Sequence, residues 1–331
     1  KSLEQLERRK KMLENKKSGA YGRTKSRPIA KGLLVKVKFN QNAFETVWTK
    51  EFAEPRHIVF NKKAGTYFLT IIDKILEIDK NGCVLREINN EWFSYLHTVD
   101  IDEANDRMLI VSSGFDRVIE LCVSTGKENW VWNAWEHGID TNDDGMLLTD
   151  SVEKAKEYQQ KHQDYLFIEP KKYGTKGIPT AKRAAHINFA CYDKYNSGTV
   201  LISVGKKGGI LNVDKKTGDY TIATDVLHQM PHGLRPFNQG WIVTDTTVGN
   251  VVFFDQNFKE KQKIDLSKLE GKPAEVGESE WIQNSLPWNE RQIFSIDANR
   301  GILLTDLNTH KTKIFDIDEN WCIQDMIVLQ G

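Results

Sequence analysis

The chain has 331 residues, 39% of them hydrophobic and 28% charged, which is ordinary globular chemistry with ample apolar material for a core. Lys+Arg and Asp+Glu both number 46, so overall charge points to neither nucleic acid nor membrane, and no apolar run approaches the ~20 residues of a membrane span. The charge is unevenly placed: residues 1–32 hold eleven Lys/Arg against three Glu, a net +8, and the remainder carries −8.

Residues 1–31 read as a basic helical arm and linker. SLEQLERRKKMLENKK, residues 2–17, puts Leu3, Leu6 and Leu13 on one side of a helix that Ser2 can cap. KSGAYGRTKSRP continues as a flexible basic linker. A solvated helix is the default reading; docking to a protein partner, or an arm joining oligomer subunits, is the sharper one.

GLLVKVKFNQNAFETVWTKE, residues 32–51, reads as two strands. Four units follow, each opening on a histidine: HIVF from His57, HTVDID from His97, HINFA from His186 and HGLRPF from His232. In each, a β-rich run comes next (GTYFLTII, DRMLIVSSG, GTVLISVG, GWIVTDTT), then a run ending in a polar turn (KILEIDKNG, RVIELCVSTG, GGILNVDKKTG, NVVFFDQN), then a closing run. Short β-branched and aromatic runs separated by Asn-Gly and Thr-Gly turns are antiparallel hairpins. The intervals are 40 residues from His57 to His97 and 46 from His186 to His232. The 89 residues from His97 to His186 hold one unit plus an insertion at about 137–184, whose SVEKAKEYQQKHQDY stretch is helical in pattern. A fifth unit starts near Trp281, with Gln283 at the histidine position. The C-terminal WCIQDMIVLQG places Gln324 at the same position in a sixth.

Four strands per unit at this spacing is the signature of β-propeller blades. The expectation is therefore an all-β, six-bladed β-propeller over residues 32–331, with strands from both ends of the chain closing one blade and an N-terminal helical arm. Inner strands line a propeller's channel, so His57, His97, His186 and His232 converge at one level, and Gln283 and Gln324 complete the circle. Imidazole is the common ligand of iron, zinc and copper and the side chain suited to proton transfer near neutral pH. The bland alternative is that a blade's first strand starts with a polar residue and the repeat copies it.

Weaker signals accompany the ring. Asp140, Asn142 and Asp144 have a spacing that places oxygens around calcium; Ser151 stands where an EF-hand needs Glu, leaving a lone calcium loop or an Asx-rich turn. His137 and Trp135 can reach the channel mouth, and His228 can support His232. Arg56 and Arg235 flank ring histidines and can hold an anionic group. Cys83, Cys122, Cys191 and Cys322 show no CxxC spacing and read as reduced, which argues for a reducing compartment, the cytoplasm. No signal-peptide core is present, although the chain opens on Lys1 rather than Met.

LHTVDIDEANDRMLIVSSGFDRVIELCVSTGKENWVWNAWEHG, with AHINFACYD, LISVGKKGGILNVDKKTG and HGLRPFNQGWIVTDT, resembles the arylsulfotransferase-like propellers over roughly residues 92–255. The resemblance implies a channel histidine that accepts a sulfuryl group, with His97, His186, His232 and Arg235 at the corresponding positions. The typical member is exported and carries a disulfide, which this cysteine pattern does not offer. The ring also resembles the four-histidine iron site of carotenoid oxygenases, and amidating and streptogramin lyases are histidine-lined propellers of similar size.

The expected function is a metal-binding propeller enzyme acting on a small organic substrate at the channel mouth. His57, His97, His186 and His232 would hold a divalent transition metal, Fe or Zn, with His97, His186, His232 and Arg235 as catalytic candidates and calcium at the Asp140 loop. Two alternatives stand beside it. One is a non-catalytic binding or assembly module using the basic arm. The other is metal-free, sulfuryl-type group transfer through a channel histidine.

Overall fold

A computed structural model of the chain describes residues 14, 29–228, 230–318 and 321–329. The expected helix at 2–17 and its linker lie outside the described residues, Glu14 excepted. Among the described residues the first strands form a long hairpin, β1 (Lys31–Phe39) and β2 (Phe44–Ala53), paired antiparallel with a bulge between Lys36 and Val37. Five four-stranded antiparallel sheets follow, each with its strands in chain order. Blade one is β3 (His57–Asn61), β4 (Thr66–Thr70), β5 (Ile75–Ile78) and β6 (Val84–Ile88). Blade two is β7 (Leu96–Asp102), β8 (Arg107–Ser112), β9 (Arg117–Cys122) and β10 (Glu128–Asn133).

The insertion between blades two and three pairs β11 (Leu147–Thr149) in parallel with β12 (Tyr165–Phe167) and carries two helices, α1 (Val152–Gln160) and α2 (Pro170–Tyr173). Ser151 caps α1 by accepting from the Lys154 amide. Blade three is β13 (Ile187–Tyr192), β14 (Thr199–Val204), β15 (Gly209–Asp214) and β16 (Tyr220–Thr224). Blade four is β17 (Pro231–Phe237), β18 (Gly240–Asp245), β19 (Asn250–Asp255) and β20 (Glu260–Asp265). Blade five is β21 (Ile282–Asn289), β22 (Gln292–Asp297), β23 (Gly301–Asp306) and β24 (Thr312–Phe315).

The six-blade expectation is thus corrected to five four-stranded blades. The would-be sixth blade is the two-stranded β1–β2 hairpin, and residues 321–329 form no strand. The run GLLVKVKF has the composition of a blade strand, but no residue of β1 or β2 is fully buried, so the hairpin lacks the two covered faces that inner blade strands have.

The core follows the blade order. Phe68 and Ile75 of blade one pack with Val99 and Ile110 of blade two, and Leu109 and Trp132 of blade two pack with Ile187 and Val200 of blade three. Leu201 meets Trp241 across blades three and four, and Ile242 meets Ile293 across four and five. The hairpin serves both remaining faces. Phe39 and Phe44 pack on Phe294 and Phe315 of blade five, while Leu34 and Phe52 pack on Leu69 and Leu76 of blade one. The turns obey local chemistry: Gly218, between β15 and β16, has φ +78°, and a Cβ there would lie 2.6 Å from the His137 ring. No helix among the described residues is long and apolar enough to cross a membrane.

Candidate functional site at the channel mouth

Five of the six ring residues sit at or just before the start of an inner strand, and Gln324 lies in the strandless C-terminal segment. His57 opens β3, His97 and His232 are the second residues of β7 and β17, His186 directly precedes β13, and Gln283 is second in β21. His57, His97, His232, Gln283 and Gln324 line one recess together with Asp325. The His97 and His232 rings are 5.3 Å apart. Trp281 holds Gln283 in place, its indole N–H donating to Oε1 over 2.7 Å.

The hydrogen bonds fix the form of three rings. His232 Nδ1 lies 2.8 Å from the Met230 carbonyl and 2.8 Å from Thr246 Oγ1; a carbonyl only accepts, so Nδ1 carries the proton and Nε2 is left with its lone pair. His57 is the reverse: the Val99 amide donates to Nδ1 over 3.4 Å, placing the proton on Nε2, which is 3.3 Å from Asp325 Oδ2. His186 Nδ1 lies 3.4 Å from Arg183 Nη1, a permanent donor, so it too accepts at Nδ1. Burial pushes His57 and His232 down to about 4. For His57 the pull of Asp325 opposes burial and Arg235 reinforces it. Burial also lowers His97 and His186 well below the ordinary value; His232 and Arg56 add to this for His97, and Arg183 and His97 for His186.

His186 has φ +51°, a conformation that costs a non-glycine residue energy unless its surroundings hold it. Asp116 supplies the hold. Its buried carboxylate, itself on a left-handed residue at φ +50°, accepts from the amides of Ala184 (2.9 Å), Ala185 (3.0 Å) and His186 (2.7 Å). Arg183 is anchored beside it by Ile178 O at 2.8 Å and Ser113 Oγ at 3.1 Å, over the Tyr95 ring at 5.1 Å. Arg56, paired with Glu54 at 2.9 Å, approaches the same ring at 5.4 Å. Neither Asp116 nor Arg183 bears a repeat signature, so the sequence pattern did not single them out. The left-handed residue and its three-amide acceptor come from different blades and are visible only in three dimensions.

Arg235 does not face the recess as a free cation. Its Nη2 donates to Asp325 Oδ1 over 2.7 Å, and Asn284 Nδ2 donates to the same oxygen over 2.5 Å. The sequence reading missed Asp325 altogether.

Among the described residues, no three or more His, Cys, Asp or Glu side chains are grouped so as to hold a metal ion. His57, His97, His186 and His232 share the channel with Arg56, Arg183 and Arg235, and in His57 and His186 the Nδ1 lone pair is already engaged. The loop at Asp140 folds as an Asx-type turn. Asn142 Oδ1 accepts from the Asp144 and Met146 amides, both at 3.0 Å, and Asp144 is paired with Lys182. Asp143 pairs with Lys206 at 2.8 Å, and Asp140 accepts from the Thr141 hydroxyl. His137 does not reach the mouth; it stacks on Trp132 with ring centroids 5.3 Å apart. His228 bonds Asp245 at 2.9 Å rather than His232. The recess itself is tight: the space left between its lining side chains admits about one water molecule.

The fold and site define a β-propeller with a histidine- and arginine-lined channel mouth. No protein-family model matches the sequence, and a search of curated proteins finds no relative. Among solved structures, a chain of a nidogen/laminin complex matches at 11% identity over 86% of this chain and 93% of that one, with a TM-score of 0.54. The β-propeller domain of Myceliophteria thermophila Cps50 (Swd1) matches at 11% identity over 76% and 65%, with a TM-score of 0.47. At such identity the nidogen/laminin match speaks for the fold alone.

Proposed function

We propose that this protein is a non-catalytic propeller that binds or assembles with protein partners, with the basic N-terminal arm as one contact. The observation that carries the reading is the state of the channel. His57, His186 and His232 are neutral and engaged by Val99, Arg183, Met230 and Thr246, Arg235 is paired with Asp325, and the recess admits about one water molecule. Such a ring locks inner strands together. The outer surface and the arm are then left to do the binding. The arm's net +8 suits an acidic partner surface, and the nidogen/laminin match shows the fold at work within a protein–protein complex.

The test joins metal content to partner binding. Protein purified without a His tag is expected to hold no stoichiometric transition metal by elemental analysis. Partner binding, measured with the full chain and with a chain lacking residues 1–31, is expected to be lost on deletion and to weaken as salt rises. One tightly bound metal per chain that His97→Ala removes would overturn the reading.

One observation favours group transfer as a second reading. His232 keeps Nε2 as a lone-pair nitrogen 5.3 Å ring to ring from His97, the form a nucleophilic imidazole needs. A covalent sulfo- or phospho-adduct on His232 by mass spectrometry after incubation with an aryl sulfate or phosphate donor would support it, and an unmodified ring would dismiss it.

A further inference from the structure

Asp325 is the point where a strandless segment meets the rigid inner strands. Its side chain is 3% exposed, yet residues 321–329 belong to no strand. The donors around it come from three different blades: His57 from β3, Arg235 from β17 and Asn284 from β21. Arginine, a carboxamide N–H and a neutral imidazole N–H are the donor types that recognise a carboxylate.

The backbone is shaped for this clamp as well. Gly233 has φ +64°, and a Cβ there would lie 2.1 Å from Asn284 Oδ1, so only glycine lets the amide approach. The fit of the occupant is incomplete. Asp325 Oδ1 takes both strong bonds, while Oδ2 and His57 Nε2, 3.3 Å apart, are not aligned to bond each other and are both buried without another partner. A carboxylate tethered by its own backbone cannot turn to use both oxygens. An untethered one can.

We propose that the His57–Arg235–Asn284 clamp is a carboxylate-binding site of which Asp325 is the tethered occupant, and that an external monocarboxylate takes its place when that side chain is removed. The site shares Arg235 and Asp325 with the channel on which the partner-binding reading rests, but its test reads the clamp and not the arm. It concerns the end of the channel closed by the C-terminal segment, and it holds whether or not the arm binds a protein.

The experiment uses the full chain with Asp325→Ala, Asp325→Asn and the double variant D325A/R235Q. Each is melted at pH 7 in sodium acetate and in sodium chloride of equal ionic strength. D325A is expected to melt lower than wild type and to recover by several degrees in a saturable, acetate-specific manner. Wild type and D325N, whose clamps are filled, and D325A/R235Q, which lacks the guanidinium, are expected to respond equally to the two salts. Should D325A not stay folded in chloride, its refolding yield from urea in acetate against chloride is the readout. Equal behaviour of D325A in both salts, including no folded protein in either, overturns the proposal. So does an acetate response of the same size in wild type.

Discussion

The seam between blades two and three and the seam that closes the ring are built from different materials. In the first, Trp132, Phe115, Ile187 and Val200 are fully buried, the Trp132 indole N–H donates to Gly218 O over 3.0 Å, and the Asp116 carboxylate gathers three amides of the next blade's approach. In the second, β1 and β2 contribute half-buried side chains only, and the C-terminal segment adds half-buried Ile323, Met326 and Val328 with one clamped carboxylate. Propeller closure therefore rests on aromatic contacts and one buried ion pair, while the interior seams rest on complete apolar burial. The difference locates where this molecule should give first.

Acid should produce the largest effect, because it acts at the centre that both seams share. His57 and His232 are neutral in the fold with values near 4, and each takes up a proton on unfolding at the ordinary value of 6.5. The unfolded chain thus binds more protons between these limits, so stability is complete above about pH 6.5 and falls as pH drops toward 4. Each ring contributes about 3 kcal/mol over that window, at about 1.4 kcal/mol per pH unit. Urea unfolding at stepped pH measures the slope. A stability profile that stays flat from pH 7 to 4.5 would mean the rings are not held neutral by burial.

Trp132→Ala comes next. It empties a fully buried indole site and breaks the bond to Gly218, for an expected loss of about 3–5 kcal/mol in chemical denaturation. Phe39→Ala is the counterpart on the closing seam. Phe39 stacks on Phe44 at 4.8 Å and meets Trp288, Phe294 and Phe315 edge-on, but it is half exposed, so the expected loss is about 1–2 kcal/mol. Hydrogen exchange should show the Phe39 effect confined to blades one and five, and the Trp132 effect spread over blades two and three. Equal losses from the two variants would erase the distinction between the seams.

The sequence made the blade grammar legible because each strand announces itself locally: alternating β-branched residues, a polar turn, and a histidine at the head of the inner strand. His57, His97 and His232 lie on the first strands of their blades and His186 directly precedes one. What escaped was set by long-range contact. GLLVKVKF has strand composition, but whether it becomes half of a blade or a lone hairpin depends on what covers its faces. DTNDDG matches a calcium spacing, but its local sequence does not show that Lys182 and Lys206 pair with Asp144 and Asp143 from distant positions. Asp325 sits in WCIQDMIVLQ with no neighbour to mark it as the acceptor of an arginine 90 residues away.

The hairpin's double attachment, Phe39 to blade five and Leu34 to blade one, also governs how the molecule comes apart. While it holds, every blade has two neighbours, and losing any one strands the others, so unfolding is concerted. With the hairpin detached and the Asp325 clamp released, the five sheets form a linear array with two free ends. In such an array each unit depends only on the next, and melting proceeds inward from the ends as a zipper does. The hairpin and the Asp325 clamp together thus decide whether five sheets behave as a single cooperative body or as a chain of nearly independent ones.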